Sequence, residues 1–363
     1  MILTRYLMRA FLGQFVGLLF GLVLFLQTLD LLANANDILA GGGSPADTLI
    51  KYVALRVPSL VETVAPLAGL LGALTALVQL AKNSEILAMR AAGRSVLSLV
   101  GGLVVIGSAL SILMFVFSDA VVTRTNGALE EWRDAGFAPN GKPKAEENTW
   151  MMEADTMVRV GRVTDEGRVL ENLRLLRQGD DSSIVDVVDI DRATWSGTAW
   201  KVVGVDQYGQ STGQSGGQPT GPIADEWQTQ LRPEHFVRFA NDPKDLSLNA
   251  LQEYVGNVAI GTRPKYFYDT WLHQKIAGPA VLALMPLLAA IAAFSHHRQG
   301  SAVITVVWGI SLGFAFILVD NLVLAMGQFG TIPPLMAAWL PLGFFATLGV
   351  WIVFSFENAG ART

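Results

Sequence analysis

The sequence predicts an α-helical membrane protein of six transmembrane helices with an inserted all-β, jelly-roll-like domain. Three observations carry that prediction. Apolar residues are gathered into six long blocks, roughly 11–33, 57–81, 96–118, 271–294, 302–326 and 332–356. The stretch 119–270, between the third and fourth blocks, has the composition of a soluble domain. Mean hydropathy is +0.40, with 51% apolar and 16% charged residues in a chain of 363. A bilayer core about 30 Å thick needs roughly 20 apolar helical residues, and each block meets that length. Three parts follow: helices one to three in 1–118, the insert in 119–270, and helices four to six in 271–363.

The first block is too long for the apolar core of a signal peptide, and no small-x-small cleavage site closes it before Asp30. It is read as a retained span. Pro58, Pro66, Gly69 and Gly72 in the second block, and Pro279 and Pro286 in the fourth, fit either close helix packing or hinges in a moving bundle. Lys and Arg in short loops set the orientation. A cytoplasmic N-terminus puts Arg5, Arg9, Lys82, Arg90, Arg94, Arg298 and Arg362 inside and only Lys51 and Arg56 outside. The insert is then external.

Within the insert, "TWMMEADTMVRVGRV", "IVDVVDIDRATWSG" and "AWKVVGVDQY" are short, rich in Val, Ile, Trp and Thr, and separated by Gly or Asp turns. Alternation places Trp200, Val202 and Gly204 on one face and Val203 and Val205 on the other. "GQSTGQSGGQPTGP", 209–222, reads as a flexible loop, and "TNGALEEWRDAGF", 125–137, as a short helix leaving the membrane. Short strands without helical periods suggest a sandwich or jelly roll, whose edges suit strand addition. With no cysteine in the chain, that domain is held by its own core.

Candidate chemistry is sparse. "GFAPNGKP", 136–143, approaches a phosphate-binding loop, but Pro143 replaces the Mg²⁺-binding hydroxyl and no strand precedes the glycines. The chain is not expected to hydrolyse ATP itself or to hold a metal or cofactor. His296 and His297 sit in "SHHRQG" without a neighbouring carboxylate, and no Ser/His/Asp grouping stands out. The formal net charge of −5 decides little, and no nucleic-acid partner is expected. Ionisable residues inside spans default to function. Glu62 reads as hydrated at interface depth; Asp320, followed by Asn321, is deeper, and either hydration or contact with a headgroup or partner helix fits it.

The strongest local signal is "QLAKNSEILAMRAAGRSVLSL", 79–99. Asn83 or Ser84 suits a helix N-cap, Glu85 a first turn that favours an anion, Arg90 a last turn that favours a cation, and Gly93 a left-handed terminus. The result is a cytoplasmic helix within 83–93, of about nine residues and about 14 Å long. Glu85, Met89 and Ala92 share one face, and Ile86, Arg90 and Gly93 the next. It is too short to span a bilayer and too well capped for a slack turn.

"SEILAMRAAG", 84–93, resembles the coupling-helix signature of the lipopolysaccharide export permeases, the LptF/LptG family. "LTRYLMRAF" at the start and "GISLGFAFILVDNLVLAMGQFGTIPPLMAAWLPLGFF", 309–345, resemble it too, the latter its LptG branch. The resemblance covers the whole chain and implies a bacterial inner-membrane subunit with both termini cytoplasmic and a periplasmic jelly roll. The partners it implies are an LptF-type permease, an LptB-type ATPase dimer that binds ATP and Mg²⁺, and an LptC-type bridge protein with lipopolysaccharide as cargo. Ser84, Glu85, Met89, Arg90 and Gly93 match the ATPase-coupling segment, Glu85 at the position whose acid pairs with a basic residue of the ATPase. Family members carry lysines near the outer end of the first span; here "LDLLANANDILAGGG" has Asp30 and Asp37 and no lysine. Headgroup contacts then fall to Lys51, Arg56 or Arg124, to the partner permease, or to a lipid A with other polar groups; Asp320 is a further candidate. A lipid-modifying enzyme with catalytic groups in the β domain is the alternative from another class. A secondary transporter would need midplane ionisable pairs, for which only Asp320 is available.

Overall fold

A computed structural model describes residues 2–42, 44–85, 88–89, 93, 95–138, 147–153, 156–165, 167–178, 184–209, 226–227, 229, 231–233, 236, 243–256, 260–261, 263–295 and 302–360. The chain forms two compact units, Met1–Gly141 with Asp269–Thr363, and Lys142–Tyr268.

The first unit is helical: α1 (Ile2–Ala40), α2 (Pro45–Lys82), α3 (Val96–Phe117), α4 (Thr123–Asp134), then α6 (Lys265–Ser295), α7 (Ala302–Gln328) and α8 (Pro334–Gly360). Among the described residues, six helical spans are long and apolar enough to cross a membrane, α3 and α4 counting as one. Each outruns its apolar block, because a helix pairs its own backbone groups whatever its side chains, in lipid or beyond it. Arg5, Arg9, Asp30 and Asp37 are therefore helical in α1. α2 and α6 run through Pro58 and Pro66, and Pro279 and Pro286, without ending.

A π-helical turn, Ser118–Val122, joins α3 to α4 with no break. Residues 119–134, read from the sequence as part of the insert, thus continue the helix of the third span. Leu129, Trp132 and Phe137 bury themselves with Ile38 of α1 and Tyr52 of α2. The apolar face of "TNGALEEWRDAGF" finds its partners on the helical unit, which is why this segment stays with it.

The main helical core gathers Phe11 and Phe15, Leu70 and Leu74, Leu103, Leu282, Met285 and Phe316. α2 and α6 are its buried centre, while α1 and α7 turn most of their surface outward. Close approach depends on glycine where backbone meets backbone: a Cβ on Gly107 of α3 would stand 2.9 Å from the Leu282 carbonyl oxygen of α6.

The second unit contains β1 (Glu147–Glu153), β2 (Thr156–Thr164), β3 (Val169–Gln178), β4 (Ile184–Trp195), β5 (Trp200–Gly209), β6 (Glu226–Trp227) and β7 (Ile260–Gly261). They form one antiparallel sheet in the order β6-β5-β4-β3-β2-β1-β7, a meander that fits the expected jelly roll loosely. A helix, α5 (Leu248–Gly256), lies between β6 and β7 and was not expected from the sequence.

A crease crosses four strands. Gly161, Asn172, Asp191 and Gly204 stand opposite one another by register, with positive φ at Asn172 (55°) and Gly204 (71°). A left-handed residue upsets the two-residue alternation of a strand. Core-facing positions accordingly step by three across the line, Val160 to Val163, Leu170 to Leu173, Ile190 to Ala193 and Val202 to Val205. Simple alternation put Val205 opposite Trp200; the crease returns it to the core side, while Val203 stays exposed. Both halves of the sheet so feed one core around Trp200, which is fully buried and donates from Nε1 to the Leu231 carbonyl at 2.7 Å. The other face carries charge in cross-strand pairs, Arg174 with Asp189 (2.6 and 2.9 Å) and Arg192 with Glu171 (2.8 Å).

Candidate functional site

The segment between α2 and α3 is built by its two ends. The Ser84 N–H donates to the Ala81 carbonyl (3.0 Å), and Ser84 takes φ +58°, which turns the chain out of α2. Its own carbonyl then accepts from the Ala88 N–H at 3.0 Å, starting a helical segment that includes Glu85, Ala88 and Met89. Gly93 has φ +80°, the left-handed conformation its sequence position suggested. Ser95 then caps α3 by accepting from the Ser98 N–H at 3.1 Å. Arg90, Ile86 and Ala92 lie outside the described residues.

Side-chain capping differs from expectation. Ser84 holds the N-cap position through its backbone, and the Asn83 amide donates to Glu85 Oε1 at 3.2 Å. The same oxygen accepts from the Tyr6 hydroxyl of α1 at 3.1 Å. Met89 packs on a buried cluster of Leu7, Leu80 and Leu99, one residue from each of α1, α2 and α3. Three helices therefore meet this short segment, of which the sequence indicated only the two that flank it. Tyr6 left no signal, since its partner lies 79 residues away.

The headgroup candidates lie at the opposite end of the helices, near the α1–α2 turn. Arg56 Nη2 is 3.1 Å from Asp30 Oδ1, and the Tyr52 hydroxyl donates to Asp30 Oδ2 at 2.6 Å. Lys51 Nζ stands 4.2 Å over the Trp132 ring, a cation–π contact. Both cations are thus engaged within the chain, whereas Arg124 is exposed on α4. Asp320 of α7 stands beside Gln274 of α6, and Asn321 donates to the Ile317 carbonyl of its own helix at 2.8 Å.

One ionisable residue escaped the sequence reading. Lys275 of α6 is buried and donates to Thr123 Oγ1 at 3.1 Å, just past the π turn. It sits inside the fourth apolar block, so the rule that flagged Asp320 also flags it.

Six candidate spans, an inserted antiparallel sheet, and a short acid-bearing helical segment that meets three of the spans define a multi-pass membrane protein. Residues 5–354 match the family described as lipopolysaccharide export system permease LptF/LptG. The chain belongs to that family. It is 24% identical over 354 residues to lipopolysaccharide export system permease protein LptG of Haemophilus influenzae, covering 97% of this chain and 98% of that protein. With the protein of the same name from Escherichia coli K12 it shares 24% identity over 360 residues, at the same coverage.

Proposed function

We propose that the chain is the LptG-type permease subunit of a transporter that extracts lipopolysaccharide from the bacterial inner membrane. It pairs with an LptF-type permease, and an LptB-type ATPase dimer docks on the 83–93 helix from the cytoplasm. The β unit faces the periplasm and hands the lipid to an LptC-type bridge towards the outer membrane. The permease holds no cofactor and performs no covalent chemistry; ATP and Mg²⁺ belong to the ATPase.

The observation that carries this reading is Glu85, presented on a short helix anchored in α1, α2 and α3. Withdrawing acyl chains from a bilayer costs about 0.8 kcal/mol per CH₂, which for several chains far exceeds thermal energy. A separate ATPase supplies that work, and the short helix is where it enters. The family match and the LptG-named relatives support the permease over a lipid-modifying enzyme.

The test is reconstitution of this chain with the companion permease, ATPase and bridge protein in vesicles containing lipopolysaccharide. ATP-dependent transfer of lipid to the bridge protein is expected. Lipid turnover by this chain alone, without ATPase, would point to the enzyme instead.

A further inference from the structure

Among the described residues, Glu85 has one side-chain partner outside its own segment, Tyr6 of α1. The adjoining Leu7 is buried in the cluster that receives Met89. Contact is therefore both polar and apolar, on two successive residues of α1 and on two turns of the short helix.

Beyond that contact α1 packs along α2, with Phe11 and Phe15 in the main core and Val23 against Leu60 and Val64. Its buried apolar positions include Leu7, Phe11, Phe15, Val23 and Ile38, while Val16, Phe20 and Phe25 are exposed. Its far end is tied again, by Asp30 to Tyr52 and Arg56. α1 contains no proline, whereas α2 carries Pro58 and Pro66 on its way between the same two levels. A helix tied at both ends, with no proline between them, is suited to moving as a rod.

We propose that the coupling helix drives α1 directly, through Tyr6 and Leu7, and that α1 carries the movement to the Asp30 cluster. Tyr6 is a positioning residue: it acts through Glu85, whose Oε1 accepts its hydroxyl hydrogen bond. Movement then leaves the coupling helix by three routes, two covalent through α2 and α3 and one by contact through α1. This rests on the coupling reading of Glu85.

The native chain has no cysteine, so single spin labels can be placed at Phe25→Cys on α1 and Val105→Cys on α3, both on exposed positions. Labelled full complexes, with partner cysteines removed, are compared without nucleotide and trapped with ATP and vanadate. In the parent, both labels are expected to shift. Tyr6→Phe keeps the ring and removes the donor. It should leave the ATPase bound and the Val105 shift intact, diminish the Phe25 shift, and lower lipopolysaccharide released per ATP by about five-fold. Adding Leu7→Ala should remove the Phe25 shift. A full Phe25 shift in both variants overturns the proposal. A parent complex that fails to retain the ATPase overturns the coupling reading itself, and this proposal with it.

Discussion

Arg56 and Asp30 are joined across α1 and α2 at 3.1 Å, with Tyr52 on the other oxygen of the same carboxylate at 2.6 Å. An acid on the first helix thus holds a cation that the sequence alone offered to a lipid headgroup. The pair is largely shielded, with 30% of the arginine and 17% of the aspartate side chain exposed. Asp30→Asn is expected to destabilise the helical unit by about 1–3 kcal/mol and Tyr52→Phe by about 0.5–1.5 kcal/mol. Thermal unfolding in detergent checks both. An Arg56 engaged only with lipid would leave the Asp30→Asn variant as stable as the parent.

Gly204 is required twice over at the crease of the sheet. Its φ of +71° strains any L side chain, and a Cβ would collide with the Asp191 carboxylate. Gly204→Ala should cost about 1–3 kcal/mol. Gly197, at φ +102°, has open space where its Cβ would lie, so Gly197→Ala should incur the backbone penalty alone. Equal losses at the two sites in thermal unfolding would remove the steric role given to Asp191.

The Arg174 hydrogen bond holds the Asp189 carboxyl below its usual 3.8. A carboxyl with a lowered folded pKa stabilises the fold fully above its unfolded pKa and loses that contribution as pH falls through the folded value. The pair therefore supports the sheet at neutral pH and fades only below about pH 4. Its exposure makes the effect small. Asp189→Asn should narrow the difference in melting temperature between pH 6 and pH 3, in wild type and variant measured side by side. An unchanged difference would show the pair to be idle.

The six spans were legible because a bilayer demands long apolar runs, and the strands because Val, Ile and Trp recur between Gly and Asp turns. Helix ends were not, since Arg5 or Asp37 ends an apolar run without ending a helix. The left-handed Gly93 was legible from its residue type, but the equivalent role of Ser84 was not, because serine seldom takes positive φ. Val205 was misplaced because alternation assumes an unbroken pleat, and the positive φ of Asn172 and Gly204 emerges only with the neighbouring strands in register. The pairs Tyr6–Glu85 and Arg56–Asp30 depend on how α1 lies along its neighbours, which no local pattern encodes. Lys275 was legible in principle, as a charge within an apolar block.

Glu85 is the residue through which a separate ATPase is proposed to move three spans. The most direct measurement is retention of the LptB-type ATPase by membrane-extracted wild type and Glu85→Lys, with membrane insertion and lipopolysaccharide export followed in parallel. Loss of the ATPase and of export, with insertion unchanged, is the predicted result. A Glu85→Lys protein that kept the ATPase and exported lipopolysaccharide at the wild-type rate would contradict the account.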